Sequence, residues 1–396
     1  MVELRKDPPE IDPIAVKKPN ITMLKLMVAS DNSAEGMVFE GDLGTCMNLE
    51  SLRKQRKPSG HLETSLASCF TLLGASHILW NVAQAIYLMH YGNPQDSNNL
   101  GAWQTLSSLG VPAEKPTTKK DFSLMITNLT KSHEASILYC LLTVMGYPHA
   151  LLPDKKVTLP SQKLKDVVDK CYTRFFSPAA FDALDDDSDD SDASEDSQSS
   201  TGKTPATLDP QKTLRNQPPR VLALKNLLLR LRDFASIVEC DRAMRAGDIG
   251  RVINMWNRWA VMANGMTGLR NYAIHLPRMV LLLTKVLPEG LATVLRHSLL
   301  VCPSGRPNHF VGKDFYLENQ NFWLKYFYNH SGIGTEINRL KDVFSLNISI
   351  GLKGDSGKNL IIQSHKHELT TDSINNFLKM AQQHEILSDK THKQIE

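Results

Sequence analysis

The sequence has no Cys-x-x-Cys pair, no Gly-x-x-x-x-Gly-Lys-Ser loop, no Gly-x-Ser-x-Gly elbow and no His-Glu-x-x-His helix. These absences set aside the common zinc modules, the P-loop nucleotide hydrolases, the α/β-hydrolases and the zinc peptidases. His365 and His367 form a pair with no further ligand set beside them. The six cysteines, Cys46, Cys69, Cys140, Cys171, Cys240 and Cys302, stand singly. That spacing fits reduced thiols in the cytosol or nucleus rather than a secreted disulfide framework. Met1 to Asn20 carries four prolines and no apolar stretch of the kind a signal peptide needs, so it reads as an extended, disordered leader and implies no export.

Charge is missing from Thr64 to Gln95, a run long enough to span a bilayer. His77, Asn81 and Gln84 fall at i, i+4 and i+7 and form one polar row on an otherwise apolar helix. Such a row is costly in lipid and easily satisfied in a protein interior, so the segment reads as a buried helix and no membrane is expected.

With 396 residues and 41% apolar content, the chain can bury a real core. Residues 182 to 202 hold nine acidic side chains and no basic one; setting them aside leaves 45 basic against 33 acidic. A basic body with one acidic segment suits a polyanionic partner, although a solvated lysine-rich surface is the commoner cause.

Helical periodicity dominates. Leu66 to Tyr91 reads as one long helix stopped by Gly92-Asn93-Pro94, and Asp121 to Met145 and Leu164 to Phe175 repeat the pattern. Leu224, Leu227, Leu228, Leu231, Ala235 and Val238 form a stripe that Gly247 ends, and Asp248 is a good N-cap for the helix after it. Further helices are expected at Gly268 to Val286, Leu291 to Leu300, Asp314 to Asn329, Thr335 to Phe344 and Ser373 to Ile386. Ile21 to Ala29 and Gly36 to Asp42 are short apolar runs that suit either a strand or a helical turn. The fold class is therefore mainly α. It comprises two helical halves, 21–180 and 221–350, joined by a disordered acidic linker at 181–220, with room for a small β-sheet near the N-terminal half. Residues 351–396 form a polar tail with one short helix.

Asp42 ends an apolar run after Gly41, with His77 downstream. A carboxylate at a strand end is where ribonuclease H-type nucleases and transposases hold magnesium, whereas a plain turn is the commoner role of Gly-Asp. Extending the Leu227, Leu231, Val238 stripe leads to Asp241, Arg242 and Arg245, with Glu239 on a neighbouring face, either an internal ion-pair network or part of a site. Cys302 to Phe310 is a polar turn in which Arg306 and His309 could grip a phosphate, and Asp314 beyond it reads as a helix cap. Phe315 to Tyr328 is rich in aromatics at helical spacing, which favours core packing over base stacking. Arg53-Lys54-Gln55-Arg56-Lys57 is a nuclear-import or phosphate patch, or simply a solvated loop.

Four motifs occur in order: Gly41-Asp42-Leu43-Gly44-Thr45, then Gly74 to Asn81, then Arg242 to Arg251, then Pro303 to Phe310. Together they resemble the fungal domain of unknown function 6589, in wording closest to the rust-fungus versions, over roughly Ile21 to Ile350. The resemblance assigns no activity and transfers no catalytic residue. The family's large copy number implies a transposase-derived origin. The stretch between Asp31-Asn32-Ser33 and Gly41-Asp42 is shorter than in relatives, which implies a reduced central sheet and an inactive or incomplete copy.

These readings give a transposon-derived, nucleic-acid-associated protein as the leading expectation, with a non-catalytic helical interaction module as the alternative. No cofactor is expected unless the transposase-like reading holds. In that case magnesium would lie between Asp42 and a carboxylate of Glu239 or Asp241, with His77 orienting the site and Asn81, Arg242, Arg245, Asp248, Arg306 and His309 as further polar candidates.

Overall fold

The computed structural model describes residues 22–26, 36–57, 66, 69–95, 100–115, 122–147, 152, 158–186, 219–330 and 369–383. Among these, helices predominate, with a three-stranded sheet near the N-terminus and a two-stranded ribbon later in the chain. No helix among them is long and apolar enough to cross a membrane. The helix expected at Thr335 to Phe344 and most of the acidic linker, 187–218, lie outside the described residues.

The chain forms two compact units. One takes residues up to Val82 and Glu239–Ile361, the other Ala83–Val238 and Ile362–Glu396.

In the first unit, β1 (Thr22–Leu26) pairs antiparallel with β2 (Gly36–Gly41), and β2 pairs parallel with β3 (Cys69–Leu73). Both ambiguous N-terminal runs are therefore strands. Helix α1 (Leu43–Gln55) connects β2 to β3, as a parallel pair requires, and packs on both. It also takes in Arg53 and Lys54, so that basic patch begins on a helix and not in a loop.

The long helix expected from Leu66 needs correction. Cys69 to Leu73 is strand, and helix α2 (Ala75–His90) starts only after Gly74. The apolar run is continuous across both elements, so periodicity alone could not separate a buried strand from a buried helix.

Helix α7 (Pro219–Ala246) ends in this unit at Gly247, whose φ of 75° suits the left-handed stop glycine. Helix α8 (Ile249–Met262) follows, capped by Asp248 and burying Val252, Ile253, Trp256 and Trp259 as its periodicity predicts. It packs on α9 (Tyr272–Leu281), which contains Pro277 and widens into a π-helical turn at Leu282–Val286. After α10 (Glu289–Ser298), the ribbon of β4 (Leu300–Val301) and β5 (Val311–Gly312) delivers the chain into α11 (Lys313–His330).

The second unit gathers α3 (Ala102–Ser108), α4 (Phe122–Val144), α5 (Ser161–Phe175), α6 (Pro178–Asp186), α12 (Thr371–Gln383) and the greater part of α7. Leu224, Leu227, Leu228 and Leu231 of α7 are buried, each contributing about 1.5–3 kcal/mol of transfer free energy. The buried Arg230 guanidinium donates to the Leu100 carbonyl at 2.6 Å. Helix α12 packs on α3 and α4 through Phe377, Leu378 and Ala381, so this stretch of the polar tail is part of a core. Helix α6 carries helical structure to Asp186, past the point where the sequence suggested the linker begins.

Candidate functional site: a histidine between two carboxylates

The parallel strands β2 and β3 end side by side, joined by the Gly74 amide donating to the Gly41 carbonyl at 2.9 Å. Two of the sequence candidates stand at these ends. Asp42 follows β2 and caps α1, its Oδ1 accepting from the Thr45 amide at 2.7 Å. His77 follows β3 in the first turn of α2. The carboxyl ends of parallel strands are a general location for sites in sheets of this kind.

The α2 N-terminus has no capping side chain of its own at Gly74. Asp314, from the first turn of α11, supplies one across the fold: Oδ1 accepts from the Ser76 amide at 3.2 Å and Oδ2 from the His77 amide at 3.0 Å. This close approach requires glycine on both chains. A Cβ at Gly74 would sit 2.2 Å from Asp314 Oδ2, and one at Gly312 would sit 2.3 Å from Ser76 Oγ. Asp314 is thus a cap, as its sequence position suggested, but for a helix more than 200 residues away in sequence.

The His77 ring completes the arrangement. Nδ1 lies 2.8 Å from Asp314 Oδ2 and Nε2 lies 3.2 Å from Glu318 Oε1, one turn further along α11. Burial alone would lower the imidazole pKa, but bonds to Asp314 and Glu318 outweigh it and push the group up to about 10. Burial would likewise raise the Asp314 carboxyl, yet His77 and the two amides hold it below its ordinary value. At neutral pH this is an imidazolium clasped by two carboxylates.

Around it, Asn81 donates to the His77 carbonyl at 2.6 Å and to the Tyr272 hydroxyl at 3.0 Å. Burial raises the Tyr272 hydroxyl, helped by the fields of Asp314, Cys46 and Asp42. Glu40, on β2, is buried and pairs with Lys313 at 2.8 Å; its desolvation, opposed by Lys313, pushes it up to about 7. Trp80 packs edge-on against Phe315 beside the histidine.

The structure therefore places Asp42, His77 and Asn81 in one neighbourhood. The others lie elsewhere in the unit. Glu239 gives both oxygens to Arg251, at 2.6 and 2.8 Å, and Asp241 pairs with Arg245 at 2.8 Å. Asp248 accepts from the Arg251 amide as the cap of α8, and Arg242 is exposed on α7. Arg306 and His309 lie exposed in the β4–β5 turn. Glu40, Tyr272, Lys313 and Glu318 were not singled out from the sequence. The one available signal was the i, i+4 spacing of Asp314 and Glu318, which puts both carboxylates on one face of a helix.

Among the described residues, no group of three or more His, Cys, Asp or Glu side chains is arranged to hold a metal ion. Chemically, the site is a buried charge clasp that fixes the start of α2 to the start of α11, with one carboxyl, Glu40, poised to titrate near neutrality.

A mixed sheet, with α1 and α9 packed on it, carries a carboxylate and imidazole cluster at its strand ends. Residues 30–353 match the family of unknown function DUF6589, and the chain belongs to that family. No curated protein and no solved structure matches the chain.

Proposed function

We propose that the chain is a transposon-derived, nucleic-acid-associated protein of fungal type, acting in the nucleus or cytoplasm, in which the first unit presents a cationic surface to a phosphate backbone. One observation carries this reading. Residues 36–57, 69–82 and 239–330 hold fifteen Lys and Arg against nine Asp and Glu. All nine carboxylates are spoken for internally. Glu40, Glu50, Glu239, Asp241 and Glu289 pair with Lys or Arg, Asp314 and Glu318 pair with His77, and Asp42 and Asp248 cap helices. Fifteen against nine leaves a basic excess of six in these segments, which favours a polyanionic partner.

Magnesium in the transposase-like reading needs several oxygen ligands converging on one point. Here the imidazolium of His77 already neutralises Asp314 and Glu318, and Glu239 and Asp241 are engaged by arginines. The residues as arranged do not fit the ion, so the proposed function is binding and no metal-dependent step is assigned.

A second reading, the helical interaction module, draws on α5, where Leu164, Val168 and Tyr172 are exposed at i, i+4 and i+8.

A salt titration separates the two. Labelled duplex DNA is titrated with the intact protein and with a form lacking residues 182–202, followed by anisotropy. Log affinity is expected to fall linearly with log salt, by about 0.9 per phosphate contact. The deletion should tighten binding at low salt, because a tethered polyanion competes for the same surface. If neither form binds better than a basic control protein at about 50 mM salt, where electrostatic binding is strong, the interaction module stands instead.

A further inference from the structure

Helix α1, strand β3 and helix α9 enclose a cleft of about 160 Å³ that none of the features above uses. That is well over the ~10–15 Å³ that admits one water and below the ~300 Å³ at which drug-sized pockets begin. Arg53, Thr71, His275 and Arg278 line it, with Met279 among the apolar groups beneath. Glu50 is its one carboxylate and is bound to Arg278, which it orients. The cleft therefore offers two guanidinium groups, a hydroxyl and an imidazole to a compact ligand.

We propose that this cleft is a binding site for a phosphate oxyanion carrying a small apolar group. Two observations besides its lining support this. The Arg53 Nε is buried and has no hydrogen-bond acceptor. A buried charged donor left unmade is costly, and an anion in the cleft would satisfy it. The α9 wall is also irregular at this point. Pro277 lies between His275 and Arg278, and the helix widens into its π turn at Leu282, another lining residue. Pro277 cannot donate to the carbonyl one turn back, and π segments are found disproportionately where a helix serves a ligand. Arginine suits the role because its planar fork matches the geometry of phosphate oxygens.

The phosphate could be free or could belong to a nucleic-acid strand, and the site does not depend on the nucleic-acid reading. The test uses the full chain and two probes: inorganic phosphate by calorimetry, and a single-stranded oligonucleotide with and without a 5′-phosphate by anisotropy. Inorganic phosphate is expected to bind with a Kd of about 1 mM, appropriate to a few oxyanion contacts. Arg53→Gln should weaken it about tenfold, the loss of one charge-assisted bond, and Thr71→Val should weaken it less. Both should leave helical circular dichroism unchanged. If Arg53→Gln fails to fold, Thr71→Val alone carries the comparison. Preference for the 5′-phosphorylated strand, competed by free phosphate, would assign the site to nucleic acid. Phosphate binding without that preference would assign it to a free anion, and the cleft would stand even if duplex binding were absent. Equal phosphate affinity in the wild type and both variants, or no binding of phosphate, overturns the proposal.

Discussion

Two charged clusters in the first unit use the same residue types to opposite effect. At the strand ends, Asp314 and Glu318 hold His77, and Asp314 is almost fully buried. At the corner between α7 and α8, Glu239 and Asp241 hold Arg251 and Arg245, and all four side chains reach solvent. Water screens the second set, whereas the first is screened little and is also tied to backbone amides. In the sequence both places read as charged groups beside apolar runs. What separates them is burial, which depends on how distant segments meet.

The sharpest way to break the comparison is Asp314→Ala. It removes the cap of α2, leaves two amides without their acceptor and strands a partly buried imidazolium. Loss of one partner from a buried pair costs about 3–5 kcal/mol. The midpoint of urea unfolding should fall accordingly; a loss below about 1 kcal/mol, the range of a surface pair, would mean that the clasp contributes no more than the corner.

The pH dependence comes next in size. His77 has a folded pKa of about 10 against an ordinary value of 6.5, so its stabilisation is complete below about pH 6.5 and is lost as pH rises through about 10. Glu40 also has a raised value, about 7 against 4.5, so its contribution is present at acid pH and lost as pH rises through about 7. Asp314 has the opposite sign: its lowered pKa contributes stability above the ordinary carboxyl value that is lost as pH falls. Stability measured by urea unfolding should therefore decline from pH 6 to pH 10. In His77→Gln the decline between about pH 7 and 8 should disappear, because Glu40 has titrated by then and the buried cysteine thiols and tyrosine hydroxyls, which burial also raises, lose protons only at higher pH. An unchanged slope in that variant would show that His77 is not the titrating group.

The comparison also explains what could be read from the sequence. The stripe on α7, the cap at Asp248 and the tryptophans of α8 are local signals, set by the helical period and by one residue's capping preference, and all are present in the structure. Strand β3 was hidden because Cys69 to Leu73 and the helix after it form a single apolar run broken only by Gly74. The site was half legible. Asp42 and His77 stood out as polar groups beside apolar runs, whereas Glu40 lay inside an apolar strand and Asp314 and Glu318 lay far along the chain. Gly74 and Gly312 make the meeting possible, yet a glycine's need to be small is visible only once its neighbour is known.

The smallest effect should come from the corner. Arg245 is 62% exposed and pairs with Asp241 at the i, i+4 spacing of one helix. Pairs of this kind stabilise helices by about 0.3–0.5 kcal/mol, because solvent weakens the attraction and two long side chains must be ordered to make it. Arg245→Ala should therefore shift the urea midpoint by little more than experimental error, and salt should erase even that, since exposed charges are screened over about 8 Å at physiological ionic strength. The Phe310 amide bonds to the Arg245 backbone carbonyl at 3.1 Å, a contact that alanine keeps. A loss of 2 kcal/mol or more, about half what Asp314→Ala should cost, would place this corner with the buried clasp in energetic terms and remove the distinction between them.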